Sequence, residues 1–333
     1  MNRAILIGDV HASVDDLEDC ERLAGIVLEA CVQEKPGFVV FLGDLYNAFA
    51  VKNVVVERWW LGFLRRLSAK CPNIWLLVGN HDRPGDSSQV AHSLQAHVDS
   101  PGVHVVEAPT TYGDDILLLP FYFKAEDFVA AANQYSAKTV LCHQSFLGGH
   151  YESKQPIEAR HDASAVDAAA IPQRCIISGH IHESQTFSKV WYVGAPRSRN
   201  NVSDANQERY IHAIDFEGGL PKAVRKYSTS ACRQIWHVED TEGLAVSDVP
   251  PGKAGDRYVV DITGSAAYIE ARKKVWAVPG IRLRCYQTDR PGPKLSESGG
   301  IPAAWSKWAE EFKPKHGTSM EMLRQLAGER ITL

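Results

Sequence analysis

Short runs of aliphatic and β-branched residues, each followed at once by glycine and polar residues, recur through the first two hundred positions of the chain. Unbroken apolar runs of this length are typical of strands that are buried on both faces of a sheet. Segments with helical patterns lie between them, at residues 17–33 and 54–70. Strands alternating with helices predict an α/β domain, whose functional groups lie just past the carboxyl ends of the strands. The runs are residues 4–7, 38–42, 74–78, 139–142 and 175–177, with a further run at 190–193.

The pattern changes after residue 215, where glycine and proline interrupt shorter strand candidates. Those at residues 223–227 and 234–238 are expected to complete a second sheet, and a Pro/Gly-rich linker follows at 250–255. The next part of the chain predicts a small β-α-β unit. Its strand, helix and strand are residues 257–263, 265–275 and 280–287.

A second stretch rich in helix-breaking residues, 291–300, precedes two helix candidates at 302–312 and 319–328. We therefore predict three parts: an α/β domain over residues 1–240, a small α+β cap over 241–295, and a short helical tail over 296–333.

Composition excludes several classes of protein. Of the 333 residues, 44% are hydrophobic and 23% are charged, and the formal net charge is −4, which is typical of neither a disordered chain nor a coiled coil. No run of about 18 apolar residues occurs and no signal-peptide pattern is present, so we expect a soluble cytoplasmic protein without a membrane partner. The seven cysteines form no C-x-x-C pair, which favours small buried side chains in a reducing compartment.

Candidate metal ligands follow each of the five main strands. Carboxylate, amide and imidazole groups in this number suit a divalent manganese, iron or zinc ion. Asp9 and His11 are two residues apart, as are His180 and His182, so each pair can face two sides, and Asp44 is the natural bridge between two ions about 3.5–4 Å apart. The five sets, in order, are Asp9 with His11, Asp44, Asn80 with His81 and Asp82, His143, and His180 with His182.

Each set alone also suits an ordinary turn, because Gly, Asn and Asp favour turn conformations and Asp frequently caps them. A series of five sets, each placed directly after a predicted buried strand, favours a metal site over five unrelated turns.

The motifs GDVH, GDLYN, GNHD, CHQ and GHIH resemble those of the calcineurin-like metallophosphoesterase superfamily, over roughly residues 5–200. The segments VWYVGAPRSRN and NQERYIHAIDF resemble, more narrowly, the SbcD-type subunit of DNA-repair nucleases. The β-α-β unit matches the DNA-contacting cap of that subfamily in arrangement only. The resemblance implies an α/β/β/α sandwich of two sheets, followed by the cap and the helical tail.

The resemblance also implies two divalent metal ions, manganese foremost, with iron, zinc or magnesium as alternatives. His81 would steady the transition state or protonate the leaving oxygen, and Asp82 would orient its ring. Where many members have Asp or His three positions after the bridging Asp, this chain has Asn47. One ion would be held by Asp9, His11, Asp44 and His182, and the other by Asp44, Asn80, His143 and His180.

The leading hypothesis for function is hydrolysis of DNA phosphodiester bonds, as an exonuclease or endonuclease, by in-line attack of a metal-bridging hydroxide. A phosphatase or cyclic-nucleotide phosphodiesterase acting on a small molecule is the alternative, and the long chain after residue 240 favours DNA. A scaffold that binds without cleaving is disfavoured, because every ligand position and His81 are filled. Arg197 and Arg199 are candidate contacts to the phosphate backbone, with an ordinary solvated loop as the alternative.

Partners other than DNA follow from the resemblance. The segment containing Met320, Leu323 and Leu326 is a candidate docking site for an SMC-like ATPase, and no Walker-type motif occurs in the sequence itself. A homodimer is a further possibility, through part of the helix that carries Trp59, Trp60 and Phe63, although these side chains are expected mainly in the core.

Overall fold

The computed structural model describes residues 2–47, 53–83, 91–199, 205–241, 244–249, 252 and 255–289. The four helices of that part are α1 (Leu17–Glu34), α2 (Val54–Ser68), α3 (Ala125–Ala132) and α4 (Ala266–Val275). The strands are β1 (Asn2–Ile7), β2 (Phe38–Phe41), β3 (Ile74–Leu77), β4 (Val103–Val106), β5 (Thr110–Tyr112), β6 (Ile116–Leu119), β7 (Thr139–Cys142), β8 (Cys175–Ser178), β9 (Gln185–Phe187), β10 (Val190–Tyr192), β11 (Tyr210–Glu217), β12 (Leu220–Ser228), β13 (Ile235–Asp240), β14 (Arg257–Gly264) and β15 (Ile281–Gln287).

Two six-stranded sheets form the main body. The first has the order β12-β11-β1-β2-β3-β4 and the second β5-β6-β7-β8-β10-β9. Strands β1 to β4 run parallel to one another, and so do β6, β7, β8 and β10. Every strand that the sequence predicted to precede a ligand set therefore lies in a parallel part of one of the two sheets.

Three apolar layers hold the sheets and helices together. Helices α1 and α2 pack on the outer face of the first sheet, and α3 packs on the outer face of the second. Between the sheets, side chains such as Leu6, Val40 and Leu141 form the third layer. This arrangement confirms the predicted α/β/β/α sandwich.

Helix α2 illustrates how the sequence sets this packing. The Asn53 side chain accepts a hydrogen bond from the Val55 amide at 2.9 Å and caps the helix. Its apolar positions recur at helical spacing, so Trp60 and Phe63 are buried against the sheet as expected. Trp59 is half-buried, and its indole N–H donates to Glu21.

Two strands do not join the sheet that the sequence predicted for them. Residues 223–227 belong to β12, which turns back at Gly218 and Gly219, both with positive φ, and pairs with β11 at the edge of the first sheet. Residues 234–238 belong to β13, which pairs with β14 in a separate three-stranded sheet of order β13-β14-β15. A strand's own pattern does not encode its partner, so the expectation of a second sheet completed by these strands was wrong.

The predicted β-α-β unit is present, with β14, α4 and β15 each within a residue or two of the expected bounds. By compactness the chain divides into one unit of Met1–Ile262 with Val275–Arg284, and a second of Thr263–Lys274 with the chain from Cys285 onward. The assignment of 241–295 as a separate domain stays a prediction, and the helical tail at 296–333 lies outside the described residues.

A charged cluster ties β1, β11, β12 and α1 together. The Asp215 carboxylate accepts from Arg3 at 2.6 Å and from Arg225 at 2.8 Å. Arg225 also donates to Glu34 at 2.7 Å. These hydrogen bonds from Arg225 and Arg3 hold the pKa of the Asp215 carboxyl well below its usual range.

His212 is a polar exception in the layer between the sheets. Its side chain is only 1% exposed and meets the Trp191 ring edge-on, with 4.9 Å between centroids. Neither ring nitrogen has a hydrogen-bond partner among the described residues. Burial lowers the pKa of His212 to about 4.

The cysteines follow the expectation with one exception. Five are buried and Cys175 is half-buried, whereas Cys285 is exposed. No helix in the described part of the chain combines the length and the apolar character needed to cross a bilayer.

Candidate metal centre

The predicted ligands converge at one edge of the sandwich. They follow β1, β2 and β3 of the first sheet and β7 and β8 of the second, whose parallel strands all end there. Loops at the carboxyl ends of parallel strands meet at a common edge, so ligands far apart in sequence become neighbours.

The first ligand group consists of Asp9, His11 and His182. One ligand atom from each lies within 4.8 Å of the others. The Nε2 atoms of His11 and His182 are 3.1 Å apart. Asp9 and His11 are almost completely buried, and His182 is half-buried at the accessible side.

The second ligand group consists of Asp44, His143 and His180, again with ligand atoms within 4.8 Å of one another. Asn80 belongs with it, since its Oδ1 atom lies 2.9 Å from His143 Nε2 and 2.9 Å from His180 Nδ1. His143 Nδ1 lies 2.6 Å from the Leu42 carbonyl oxygen and donates to it, which leaves Nε2 directed at Asn80.

Asp44 joins the two groups. Its Oδ2 atom is 3.5 Å from His11 Nε2, and its Oδ1 atom is 3.4 Å from His143 Nε2. One carboxylate oxygen thus faces each group. Buried carboxylate, amide and imidazole donors that point at one another fit two divalent cations.

The backbone at this edge adopts unusual conformations. His11, Asp44 and His180 have φ of 47°, 52° and 77°, in the left-handed region where side chains other than glycine are strained. Hydrogen bonds hold two of them, from the His11 amide to the Asp44 carbonyl at 2.9 Å and from the His180 amide to Asp9 at 3.0 Å. Gly79 is required for space, because an added Cβ would lie 2.5 Å from the Asp44 nitrogen.

Mutual electrostatics set the charge of the ligands. Burial alone would raise the pKa of Asp44, but His143 and His11 outweigh it and hold that pKa below its ordinary value. Burial would lower the pKa of His143, yet Asp44 and Asp9 raise it to about 9. At His180 the effect of burial is larger than that of the nearby Asp44, and the pKa of the imidazole falls to about 3. Asp44 is therefore charged and His180 neutral, as cation binding requires, whereas His143 gives up its proton when a cation binds.

The sequence comparisons agree with this geometry. A family model described as calcineurin-like phosphoesterase matches residues 3–184, more than half of the chain and every candidate ligand from Asp9 to His182. The chain belongs to the calcineurin-like phosphoesterase family. This membership makes the protein a metal-dependent phosphoesterase, in a family that uses two divalent metals.

Other comparisons add little. A comparison of the sequence with curated proteins finds no significant match. One solved structure is 12% identical, with a TM-score of 0.42, and the match covers 68% of this chain and 99% of that one. Another, "GAP50 the anchor in the inner membrane complex of Plasmodium", is 10% identical, with a TM-score of 0.40 and coverage of 88% and 99%. Likenesses this weak carry no argument about function.

His81 lies beside both ligand groups of the phosphoesterase. Its backbone amide donates to Asp44 Oδ1 at 2.8 Å, and its half-buried ring meets the His11 ring edge-on at 5.0 Å between centroids. Burial lowers the pKa of His81, although the nearby Asp44 acts in the opposite direction. A neutral ring next to the ligands keeps one N–H with which to donate to a substrate oxygen.

Asp82 does not orient the His81 ring as predicted. Its carboxylate accepts hydrogen bonds from the Gly79 amide at 3.0 Å and from the Ser93 hydroxyl at 2.9 Å. It is completely buried, and burial together with Asp44 raises its pKa to about 6. The side chain therefore braces the turn that carries Asn80 and His81, as its position three residues after Gly79 could have indicated.

Arg197 also differs from its prediction. Its side chain is 1% exposed, and its three nitrogens donate to the Val10 and His11 carbonyl oxygens and to Asp16. With all three directions used inside the protein, its guanidinium is not available to grip a phosphate backbone.

Arg199 lies at the edge of the first ligand group. Its guanidinium donates to Asn47 Oδ1 at 2.5 Å and lies 3.5 Å from His11 Nε2. Asn47 thus holds the Arg199 guanidinium beside the site. The predicted contact of Arg199 with phosphate stays a prediction that this position supports.

Two residues next to the ligands escaped the sequence analysis. Arg209 is 4% exposed and donates to the His182 carbonyl oxygen at 3.2 Å. Glu152 accepts from the His182 amide at 2.5 Å. Arg209 lies directly before β11, in a segment whose pattern indicated only a closing strand, so its role depends on folding that local sequence does not show.

Proposed function

We propose that this phosphoesterase hydrolyses phosphodiester bonds in DNA, as an exonuclease or endonuclease of the SbcD type, with manganese as its preferred metal. The observation that carries the phosphodiester chemistry is the position of Asp44, with one carboxylate oxygen toward each ligand group. A bridge of this kind suits displacement at a phosphorus centre, where attacking and leaving oxygens both need stabilisation.

The ligand residues would hold the two cations as the groups suggest, with Asp9, His11 and His182 around one, Asn80, His143 and His180 around the other, and Asp44 shared. When bound, such cations activate water for attack and neutralise the charge on phosphate oxygens. Asn80 contributes a neutral amide oxygen, so it ligates without adding repulsion toward an anionic substrate.

His81 supplies the protein's own contribution to the leaving group. The hydrogen bond from its amide to Asp44 fixes its backbone next to the ligands, and Asp82 stabilises the same turn by accepting from the Gly79 amide. The ring is half-buried and therefore reachable from the accessible side of the site. From there the N–H of the neutral ring can donate a hydrogen bond to a phosphate oxygen as negative charge builds on it.

Three observations support DNA over a small phosphoester. The chain continues past the family match into a third sheet and α4, in the arrangement of the subfamily's cap. Arg199 places a guanidinium beside the first ligand group, where a neighbouring phosphate of a polymer would lie. The histidines and Asn80 at the open side are half-buried rather than enclosed, which suits a long substrate lying across the site.

A side-by-side assay tests the substrate. The purified protein is incubated with Mn²⁺ and linear duplex DNA, single-stranded DNA, cyclic nucleotides or a chromogenic phosphate ester. We expect cleavage of DNA to exceed turnover of the small substrates. The Asp44→Asn variant, purified in parallel, excludes a contaminating nuclease. A clear preference for the cyclic nucleotide or the chromogenic ester would contradict the nuclease proposal and favour a phosphoesterase that acts on small molecules.

The remaining partners stay predictions of the sequence. An SMC-like ATPase and a homodimer both follow from the resemblance, whereas the cytoplasmic location follows from the sequence pattern alone. The segment around Met320, Leu323 and Leu326 that would contact the ATPase lies outside the described residues.

A further inference from the structure

We propose that Arg197 and Arg209 are positioning residues that hold the two histidines of the first ligand group, so that the first metal, and not the second, depends on them. The inference rests on the dimetal site of the proposed function and concerns how this chain builds one half of it.

Arg197 holds the loop that carries His11. Its Nε atom donates to the Val10 carbonyl oxygen at 2.7 Å and its Nη2 atom to the His11 carbonyl oxygen at 2.6 Å. The third nitrogen donates to Asp16 at 2.9 Å, and Asp16 in turn accepts from the Ser13 amide. One side chain therefore fastens both peptide groups that set the left-handed conformation of His11.

Arg209 acts on the other histidine in a similar way. Its Nη1 atom donates to the carbonyl oxygens of His182 at 3.2 Å and Ala195 at 3.0 Å. Its Nε atom donates to the Ser198 hydroxyl at 3.1 Å. Both arginines are at least 96% buried, since their exposures are 1% and 4%. Each thus binds the backbone carbonyl oxygen of one imidazole ligand.

The distance between the two rings depends on these anchors. His11 and His182 come from different sheets, and their Nε2 atoms are 3.1 Å apart. The strained φ of 47° at His11 is held by Arg197 on two carbonyl oxygens and by the bond from the His11 amide to the Asp44 carbonyl oxygen. Without Arg197, the Val10 and His11 carbonyl oxygens lose this buried donor. Without Arg209, the His182 carbonyl oxygen loses the arginine and keeps the Ala195 amide, at 3.0 Å. We expect either loop to shift as a result.

The second ligand group is held by other means. His143 donates to the Leu42 carbonyl oxygen at 2.6 Å, and the His180 amide donates to Asp9. These bonds run directly between ligand loops. Loss of an arginine should therefore weaken binding at the first site far more than at the second.

The test uses Arg197→Met and Arg209→Met, which keep side-chain length but remove every donor. Bound manganese per chain is measured by mass spectrometry, and affinity by calorimetry. We expect binding at one of the two sites to weaken about 10- to 100-fold. The spin-coupled EPR signal of a manganese pair should give way to that of isolated Mn²⁺. His11→Ala, which removes a ligand of the first group, should reproduce this pattern.

Arg225→Met is the matched control. It also removes an arginine that bonds two acidic side chains, Asp215 and Glu34, but it touches no ligand loop. It should retain two manganese ions and the coupled signal. Thermal unfolding without metal separates general destabilisation from loss of the site.

Two folded arginine variants that bind both ions with wild-type affinity would overturn the inference. If a methionine variant does not fold, Arg197→Lys replaces it: one nitrogen cannot occupy three donor positions, so the first site should still weaken, and unchanged binding would again refute the idea. If the wild-type protein binds two ions but does not cleave DNA, the proposed substrate is wrong and this inference still stands. If the wild-type protein cannot bind two ions, both the proposed function and this inference are wrong.

Discussion

Asp44 is the residue on which both ligand groups depend, because one of its oxygens faces His11 and the other faces His143. We expect Asp44→Ala to abolish binding of the metal pair and to reduce phosphoesterase activity by at least about 1000-fold. Metal content after dialysis, together with hydrolysis of the preferred substrate, checks this. A variant that still binds two ions would show that Asp44 does not bridge.

His81 should separate chemistry from metal binding. His81→Ala removes the ring but leaves the backbone amide that donates to Asp44. We expect full metal content and a turnover lowered by about 100- to 1000-fold, the usual effect of removing one hydrogen-bond donor to a developing oxyanion. His81→Gln keeps an N–H donor and is the control that should recover part of the rate. An unchanged rate in His81→Ala would exclude a role in the reaction.

His212 makes stability depend on pH. Its folded pKa of about 4 lies below the ordinary 6.5, so the unfolded chain binds a proton first as the pH falls. The stability contributed by neutral His212 is complete above pH 6.5 and is lost toward pH 4. Between pH 7.5 and 5 this amounts to about 2 kcal/mol. Urea unfolding of wild type and His212→Phe at both pH values measures it, and equal losses in both proteins would contradict the assignment.

Single residues also show where sequence stops being informative. The ligands could be predicted because each directly follows a buried strand, so its position depends on local pattern. The structural role of Arg197 could not be predicted, because its side chain bonds Asp16, which lies 181 residues away in the chain. Asp82 adjoins His81 in sequence, yet its carboxylate turns to Gly79 and Ser93.

At the scale of elements, the turn after β3 requires a glycine, because the backbone at Gly79 lies close to Asp44. Gly79→Ala places a methyl group against Asp44, and we expect about a 100-fold loss of activity with weaker metal binding. Gly25→Ala is the matched control: this exposed glycine lies within α1, and nothing lies within 4 Å of an added Cβ. It should raise the free energy of unfolding by up to about 1 kcal/mol and leave activity unchanged. Equal activity in the two variants would show that the turn tolerates a side chain.

The element pattern predicted strand and helix bounds better than strand partners. The bounds of β14, α4 and β15 follow from periodicity and from glycine and proline. The pairing of β13 with β14 joins Ile235 to Arg257 in register, across a linker with no strand pattern of its own. Pairing is decided by which edge is open in the folded chain, and a local pattern does not contain that information.

For the whole molecule, the ligands tie the two sheets together, so metal should stabilise the fold. Saturation at one hundred times the dissociation constant adds about 2.7 kcal/mol for each ion. We expect Mn²⁺ to raise the Tm by several degrees and a chelator to reverse it. Asp44→Ala should show no such shift. Calorimetric scans of both proteins with and without Mn²⁺ test this, and an unshifted Tm in loaded wild type would count against ligands drawn from both sheets.

The left-handed backbone at His11, Asp44 and His180 has a consequence for biogenesis. These conformations are unfavourable in a free chain and are held by hydrogen bonds between loops of both sheets. A nascent chain therefore has no metal site to offer until the sandwich has closed. We therefore expect metal to bind an already folded protein, so that the ion the enzyme carries depends on what its surroundings supply at that stage.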